Sequence, residues 1–332
     1  MIRLLRRALA IGLILLLVGG GWFYLQISSP LVLSGDRVEF HIASGSGMRT
    51  AAREIAASGV AVEPWKLVLL GKILRVEGAI KAGSYEIDRG VSLLELLRKL
   101  TRGDVSLTEI AFIEGWTFRQ IRERLNTHPD VQHDTRGLSD EEVMRLVGAP
   151  GTSPEGWFFP DTYLFSKRSR DVDILARAHR AMQRHLAREW EARAEQLPLA
   201  SPYQALILAS IVEKETGKEQ DRPLVAAVFV NRLRQGMRLQ TDPTVIYGLG
   251  ERFDGNLRKS DLLADTPFNT YTRSGLPPTP IAMPGLASLQ AVLHPAPSQA
   301  LYFVARGDGS SHFSQTLEEH NRAVNRYQRG GR

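Results

Sequence analysis

The chain contains no cysteine in its 332 residues. Disulfides, thiol nucleophiles and cysteine-ligated zinc are therefore excluded, although the absence says nothing about compartment. Its eight histidines form no His-x-x-x-His pair and no Glu-flanked zinc motif. No Walker loop, dinucleotide fingerprint or Gly-x-Ser-x-Gly elbow occurs, so phosphoryl transfer, hydride transfer and serine hydrolysis have no support. Charge of one sign is also scarce. The formal net charge is +6, and Arg3, Arg6 and Arg7 supply half of it. What remains is too mild and scattered to indicate nucleic acid. It suits an anionic membrane surface or an acidic polymer. No charged residue stands between Arg7 and Asp36.

That uncharged run is the clearest compositional feature. Ala8 to Ile27 has the length of a bilayer span. The arginines before it place residues 1–7 in the cytoplasm as a short tail, and everything after the span outside. A cleaved signal peptide is the competing reading, since the strongest apolar core, Ala8 to Val18, has that length. However, Trp22, Phe23 and Tyr24 prolong the run like an interfacial belt, and no Ala-x-Ala site follows. The sequence thus predicts an uncleaved transmembrane helix over 8–27.

Residues 28–36 read as a linker. A pattern then recurs three times: short strand, glycine, small or polar cap, amphipathic helix. The strands are Val38–Ile42, Gly83–Ile87 and Ile110–Ile113. The helices run from about Arg49 to Ser58, from a capping box at Ser92/Glu95, and from another at Thr117/Gln120. Pro64 to Leu74 is a further apolar helix. Such small units pack together as a mixed α+β module, expected over 37–125. Residues 126–154 read as a polar connector, with a helix start at Ser139. The segment 155–328 reads as a mainly helical α+β domain with long ordered loops. Its helices are expected over Val172–Gln196, after Ser201, and over Asp221–Gln235. A strand at Leu301–Ala305, a Gly-Asp-Gly turn, a second strand near His312 and a helix after Thr316 follow. Residues 329–332 are expected to be a disordered tail.

Ser201 to Gly217 carries the sharpest chemical indication. Ser201 caps a helix, Pro202 suits its first turn, and Gln204 completes a capping box. Ala205 to Val212 is almost wholly apolar, which predicts a buried helix. Glu213, Lys214 and Glu215 then arrive at its last turn. A carboxylate there meets low dielectric and the negative end of the helix dipole, and both raise its pKa. A carboxyl held protonated near neutral pH is what a general acid needs. The bland alternative is a solvated helix end.

Two polar stretches accompany it. Gln240, Thr241 and Asp242 precede Pro243, and Asn269, Tyr271 and Thr272 precede a Gly-Leu-Pro-Pro turn at 275–278. Amide, hydroxyl and aromatic groups in this mixture suit a sugar. A capped loop in which Asp242 or Thr241 starts a short helix at Pro243, and an ordinary turn, are the alternatives. Glu155 opens an aromatic segment, Gly156 to Phe165, which is either a carbohydrate-facing wall or core.

In these motifs the chain resembles the endolytic murein transglycosylase family, also called MltG or YceG-like. The resemblance rests on Glu155–Thr162, Ala209–Thr216, Asn231–Leu233 with Gly236–Gly248, Tyr271–Thr272 with Gly275–Pro278, and His320–Asn321. It implies cleavage of the bond between N-acetylmuramic acid and N-acetylglucosamine within peptidoglycan strands, leaving a 1,6-anhydromuramic end. It puts the catalytic glutamate on Glu213. Glu155, Gln240, Thr241, Asp242, Asn269, Tyr271 and Thr272 are the expected substrate-binding residues. The amino-terminal module is LysM-like by the same resemblance. No metal or cofactor is implied. Partners would be glycan strands, the inner membrane and, beside them, the peptidoglycan synthases that polymerise glycan. The catalytic part would be periplasmic. A muramidase acting with water, or an idle peptidoglycan-binding scaffold, are the alternatives.

Overall fold

The structure, a computed structural model, describes residues 2–330. Met1 of the expected tail, and the disorder expected at residues 331 and 332, lie outside it. The fold is a mixed α+β one in two compact units. The first holds the residues up to Thr108 with Leu164–Ser169, and the second holds Glu109–Tyr163 with the residues from Arg170 on.

In the first unit, helix α1 covers Ile2–Ser28. Within it Leu9–Ser28 is long and apolar enough to cross a membrane, with mean hydropathy 1.9. Most of this stretch presents its side chains outward, but its end does not. Ile27 is buried, and Phe23 packs against the core of the unit. The expected linker is likewise part of the fold. Leu31 N donates to Val91 O, Ser34 N to Gly59 O, and Ala61 N to Val32 O. Leu31 and Leu33 pack on the same core. Burying these apolar residues outweighs the entropy a free linker would keep.

Strand β1, Arg37–Ile42, pairs antiparallel with β2, Gly83–Asp88, in the register Val38–Ile87 and Phe40–Tyr85. Alternation turns Val38, Phe40 and Ile42 inward. Helices α2 (Met48–Ala57), α3 (Pro64–Ile73) and α4 (Leu93–Arg102) cover this pair. The Ser92/Glu95 capping box forms as its spacing predicts. Leu93, Leu96, Leu97 and Leu100 make the buried stripe of α4.

The chain passes between the units three times, inside strands β3 (Leu107–Ala111) and β4 (Thr162–Ser166) and again between Ser169 and Arg170. The third repeat of the sequence pattern, which begins at Ile110, therefore lies wholly in the second unit. Its helix α5, Phe118–Asn126, belongs to the second unit, because Phe118 stacks on Phe158 at 4.9 Å. The expected connector is ordered too. Helix α6, Asp140–Val147, starts at a Ser139/Glu142 capping box, and the buried Asp171 accepts from Thr135 N at 3.0 Å and Thr135 Oγ1 at 2.6 Å.

Helix α7 runs over Asp171–Glu191, ending before the expected Gln196. Helices α8 (Pro202–Glu215) and α9 (Arg222–Arg234) follow, then α10 (Asp242–Leu249) and α11 (Lys259–Leu263). Helix α12, Leu286–Leu293, lies where only loop was expected; apolar on nearly every side, it offers no polar face from which to read a period. A hairpin of β5 (Tyr302–Ala305) and β6 (Ser311–Ser314), then α13 (Leu317–Tyr327), agree with the sequence reading.

Helix α8 is the axis of this unit. Every residue from Ala205 to Val212 is buried. Met182 and Leu186 of α7, Phe229 and Val230 of α9, and Leu289 and Val292 of α12 surround it. Each such side chain contributes about 1.5–3 kcal/mol relative to exposure. The aromatic segment is core, not wall. Phe158 is fully buried, Trp157 stacks on Tyr203, and Phe159 stacks on His185. Gly156 permits this packing: its φ is +82°, and a Cβ there would lie 2.6 Å from the Pro280 ring.

Candidate active site

Ser201 caps α8, accepting from Gln204 N at 3.3 Å. Gln204 bonds one residue earlier than a capping box requires, taking Ala200 N at 2.8 Å. The helix ends at Thr216 in an extended conformation. Glu213 and Glu215, two residues apart, project from opposite sides of the last turn.

The Glu213 side is closed. Its side chain is 7% exposed. Oε2 accepts from Gly285 N at 2.9 Å and Ser288 Oγ at 2.7 Å, both at the start of α12. Arg222 Nη2 stands 4.0 Å from Oε1. Glu114 lies beside this group, its carboxyl so close over the Gly285 Cα that a Cβ there would sit 1.8 Å from Oε1. Partial burial and the Glu213 charge push the Glu114 carboxyl upward, while Arg222 opposes them. Lys214, between the two glutamates, donates to Gly115 O at 3.2 Å.

The Glu215 side is open. Its carboxyl accepts from Thr241 Oγ1 and faces a cavity of about 600 Å³. Burial pushes the Glu215 carboxyl above the usual range and the Asp242 charge adds to this, against the Thr241 hydrogen bond and the Arg232 charge. The cavity wall also holds Arg232, Gln240, Asp242, Tyr271 and Tyr302. Tyr271 donates its hydroxyl to Asp242 at 2.5 Å. Arg232 is fixed by Leu301 O and Leu239 O, each at 2.7 Å. Gln240 adopts φ +51°, a left-handed conformation that costs a glutamine about 1–2 kcal/mol and is found disproportionately at functional sites.

Of the residues expected to bind substrate, Gln240, Thr241, Asp242 and Tyr271 thus gather around Glu215, not around Glu213. Asn269 and Thr272 do not reach the cavity as contacts. Asn269 is fully buried. Its amide donates to Asp261 O, Leu262 O and Ala264 O, and its oxygen accepts from Tyr271 N at 2.8 Å. Thr272 donates to Asp265 and to Asn269 O, each at 3.2 Å. Both fix the loop that carries Tyr271. Thr241 is buried as well, with its hydroxyl turned to Glu215.

Glu155 sits elsewhere in the unit. It is 5% exposed, accepting from Phe118 N at 3.1 Å and Tyr247 Oη at 3.0 Å. It lies at the wall of a second cavity, of about 750 Å³, with Thr117, Lys214 and Ile246. Both oxygens are engaged, so Glu155 ties α5 to α10. Burial pushes its carboxyl up to about 7, against those two hydrogen bonds. A carboxyl whose folded pKa exceeds its unfolded one stabilises fully below the unfolded value, and that contribution is lost as pH rises through the folded value. Wild-type stability should therefore fall between about pH 4.5 and 7, by up to about 3 kcal/mol. Glu155→Gln should flatten this slope in chemical denaturation at a series of pH values; an unchanged slope would assign it to another group.

Glu114, Arg222, Ser288, Arg232 and Tyr302 were not legible as site residues. Glu114 had one indication, its place before Gly115 in a repeated strand–glycine–helix pattern that reads as scaffold. Arg222 opens α9 without a motif of its own, and Arg232 lies in the Asn231–Leu233 stretch, to which the sequence reading gave no role.

The YceG-like family model matches residues 40–326. The chain is similar to the endolytic murein transglycosylase of Bacillus subtilis strain 168, 30% identical over 331 residues, which cover 94% of this chain and 91% of that one. It is similar also to the endolytic murein transglycosylase of Streptococcus pneumoniae serotype 2 strain D39, 27% identical over 281 residues. That match covers 74% of this chain and spans half the length of the pneumococcal protein. Among solved structures, a YceG-like protein from Listeria monocytogenes aligns with a TM-score of 0.54 at 29% identity, covering 87% of this chain and 99% of that one.

Proposed function

The chain belongs to the YceG-like family, and from that premise we propose that it is an endolytic lytic transglycosylase of peptidoglycan. It cleaves the bond between N-acetylmuramic acid and N-acetylglucosamine without water and leaves a 1,6-anhydromuramic end. The observation that carries this reading is a buried carboxyl, Glu215, at the wall of a cavity lined by groups that suit a sugar.

An ordinary glycosidase needs two carboxylates, one for the leaving oxygen and one for water or the anomeric carbon. Here one carboxyl acts twice. Glu215 gives its proton to the glycosidic oxygen as the C1–O bond breaks. As carboxylate it takes the proton of the sugar's own 6-hydroxyl while O6 bonds to C1. The acid is regenerated and no water is consumed. Burial that keeps the carboxyl protonated serves the first step, and its basicity serves the second. Tyr271 offers a face for a sugar ring, and Gln240 and Asp242 offer hydrogen bonds to hydroxyl and amide groups.

The sequence put this role on Glu213. In the proposal it passes to Glu215 because Glu213 is closed off by Gly285, Ser288 and Arg222, whereas the expected glycan-positioning residues surround Glu215. Glu213 then positions the end of α8 against α12. Helix α1 anchors the enzyme in the inner membrane with its amino terminus cytoplasmic, at the face where new glycan strands emerge beside the synthases that make them. Cutting there terminates nascent strands, and deletion should lengthen them.

The test uses the full chain in detergent with uncross-linked glycan strands, because Ile27, Leu31 and Leu33 belong to the core and a truncation after them would damage it. Mass spectrometry of the products should find anhydro ends. Reducing muramic ends would make the enzyme a muramidase, and binding without cleavage would make it a scaffold.

A further inference from the structure

Helix α3 is apolar on two opposite sides. One side buries Leu67 and Leu70 in the core of the first unit. On the other side Trp65, Leu69 and Ile73 are 53%, 38% and 59% exposed. Spaced four residues apart, they form one stripe. A helix apolar all round belongs inside a protein or against lipid. Beside the stripe runs a groove of about 630 Å³ with Arg49 and Arg53 of α2 and Lys72 of α3 on its walls. These cations take no part in the ion pairs found among the described residues.

The position of this surface gives it meaning. Lys66 of α3 donates to Gln26 of α1 at 3.1 Å. Ile27 is buried in the same core as Leu67 and Leu70, and the apolar span ends at Ser28. The first turn of α3 is thus fixed to the last turns of the span. Where α1 crosses a bilayer, that is the level of the headgroups. Tryptophan favours this level, and lysine and arginine with apolar stems do so on an anionic leaflet.

We propose that the groove and stripe between α2 and α3 form a binding surface for anionic phospholipid headgroups. Trp65, Leu69 and Ile73 enter the acyl boundary, and Arg49, Arg53 and Lys72 meet the phosphates. The first unit is then held to the membrane at two places and cannot swivel about α1. This rests on the reading of α1 as a membrane span.

The absence of cysteine allows a clean test. The full chain carrying Leu69→Cys is labelled with a polarity-sensitive fluorophore and reconstituted into vesicles of phosphatidylcholine, with or without phosphatidylglycerol. In the anionic vesicles, emission should shift to the blue and quenching by headgroup-labelled lipids should rise at least about fivefold. Combining Arg49→Glu, Arg53→Glu and Lys72→Glu should abolish the difference. The same three positions changed to Gln, a milder variant, should reduce it if the reversal misfolds. A water-exposed probe on chain that stays with vesicles through an alkaline wash overturns the surface and leaves the anchor standing. Chain released by that wash refutes the anchor, and the surface with it. Equal quenching in both vesicle types overturns the anionic preference. A probe shifted by soluble glycan strands in detergent, but not by vesicles, makes the groove a saccharide site and also overturns the proposal.

Discussion

Glu215→Gln should lower kcat on glycan strands about 10³-fold, within the range typical for loss of a general acid, and leave strand binding nearly intact. The amide keeps the shape and can still accept from Thr241, but it cannot deliver a proton to the glycosidic oxygen. Glu213→Gln should cost about tenfold at most, because its amide oxygen still accepts from Gly285 N and Ser288 Oγ and only the Arg222 pairing is lost. The reverse order of these effects would return the acid to Glu213. A pH profile separates chemistry from structural damage. Burial and the Asp242 charge both raise the Glu215 carboxyl. The alkaline limb of kcat/KM, where the acid loses its proton, should therefore stand above the ordinary carboxylate range. Asp242→Asn removes the like charge and should move that limb to lower pH, which a merely structural role for Asp242 would not do.

How far the site could be read from sequence depends on what each residue contributes. The end of α8 was legible because its apolar run and its capping serine are local features. The choice between Glu213 and Glu215 was not. The proposed choice of Glu215 rests on α12 and Arg222 on one side and on the Gln240–Tyr271 loops on the other, all distant in sequence. Gln240, Thr241, Asp242 and Tyr271 were legible as a polar group since their side chains do converge. Asn269 and Glu155 look the same in sequence, yet their side chains are turned inward to carbonyls, a tyrosine hydroxyl and a backbone N–H. The burial of a polar side chain is a tertiary fact, and polarity alone does not reveal it. The strand–glycine–helix repeat gave most of the elements at the amino-terminal end. It could not show that Phe118 packs on Phe158, and so missed that its third copy belongs to a different unit from the first two. The residues around 28–36 read as a linker because Ser, Pro and Gly dominate the eye there, while Leu31 and Leu33 decide the packing.

Asn269→Ala tests the inward reading of that side chain. The substitution leaves the carbonyls of Asp261, Leu262 and Ala264 without the amide that ends α11, and frees the Tyr271 N–H that Asn269 Oδ1 now accepts. A buried polar group left unpaired costs about 1–3 kcal/mol, partly recovered by entering water. A net loss of about 3 kcal/mol is expected, or a fall in Tm of roughly 6–12 °C for a unit of this size. Asn269→Asp should be worse at neutral pH, because a carboxylate would face three carbonyl oxygens, and should improve on acidification as the acid protonates. Activity should fall with the order of the loop, since Tyr271 hangs from it. A substrate contact would behave differently: Asn269→Ala would then raise KM with Tm unchanged, and Asn269→Asp would show no pH-dependent stability. Thermal melts of the two variants at neutral and acidic pH therefore distinguish a residue that shapes the cavity from one that touches the sugar.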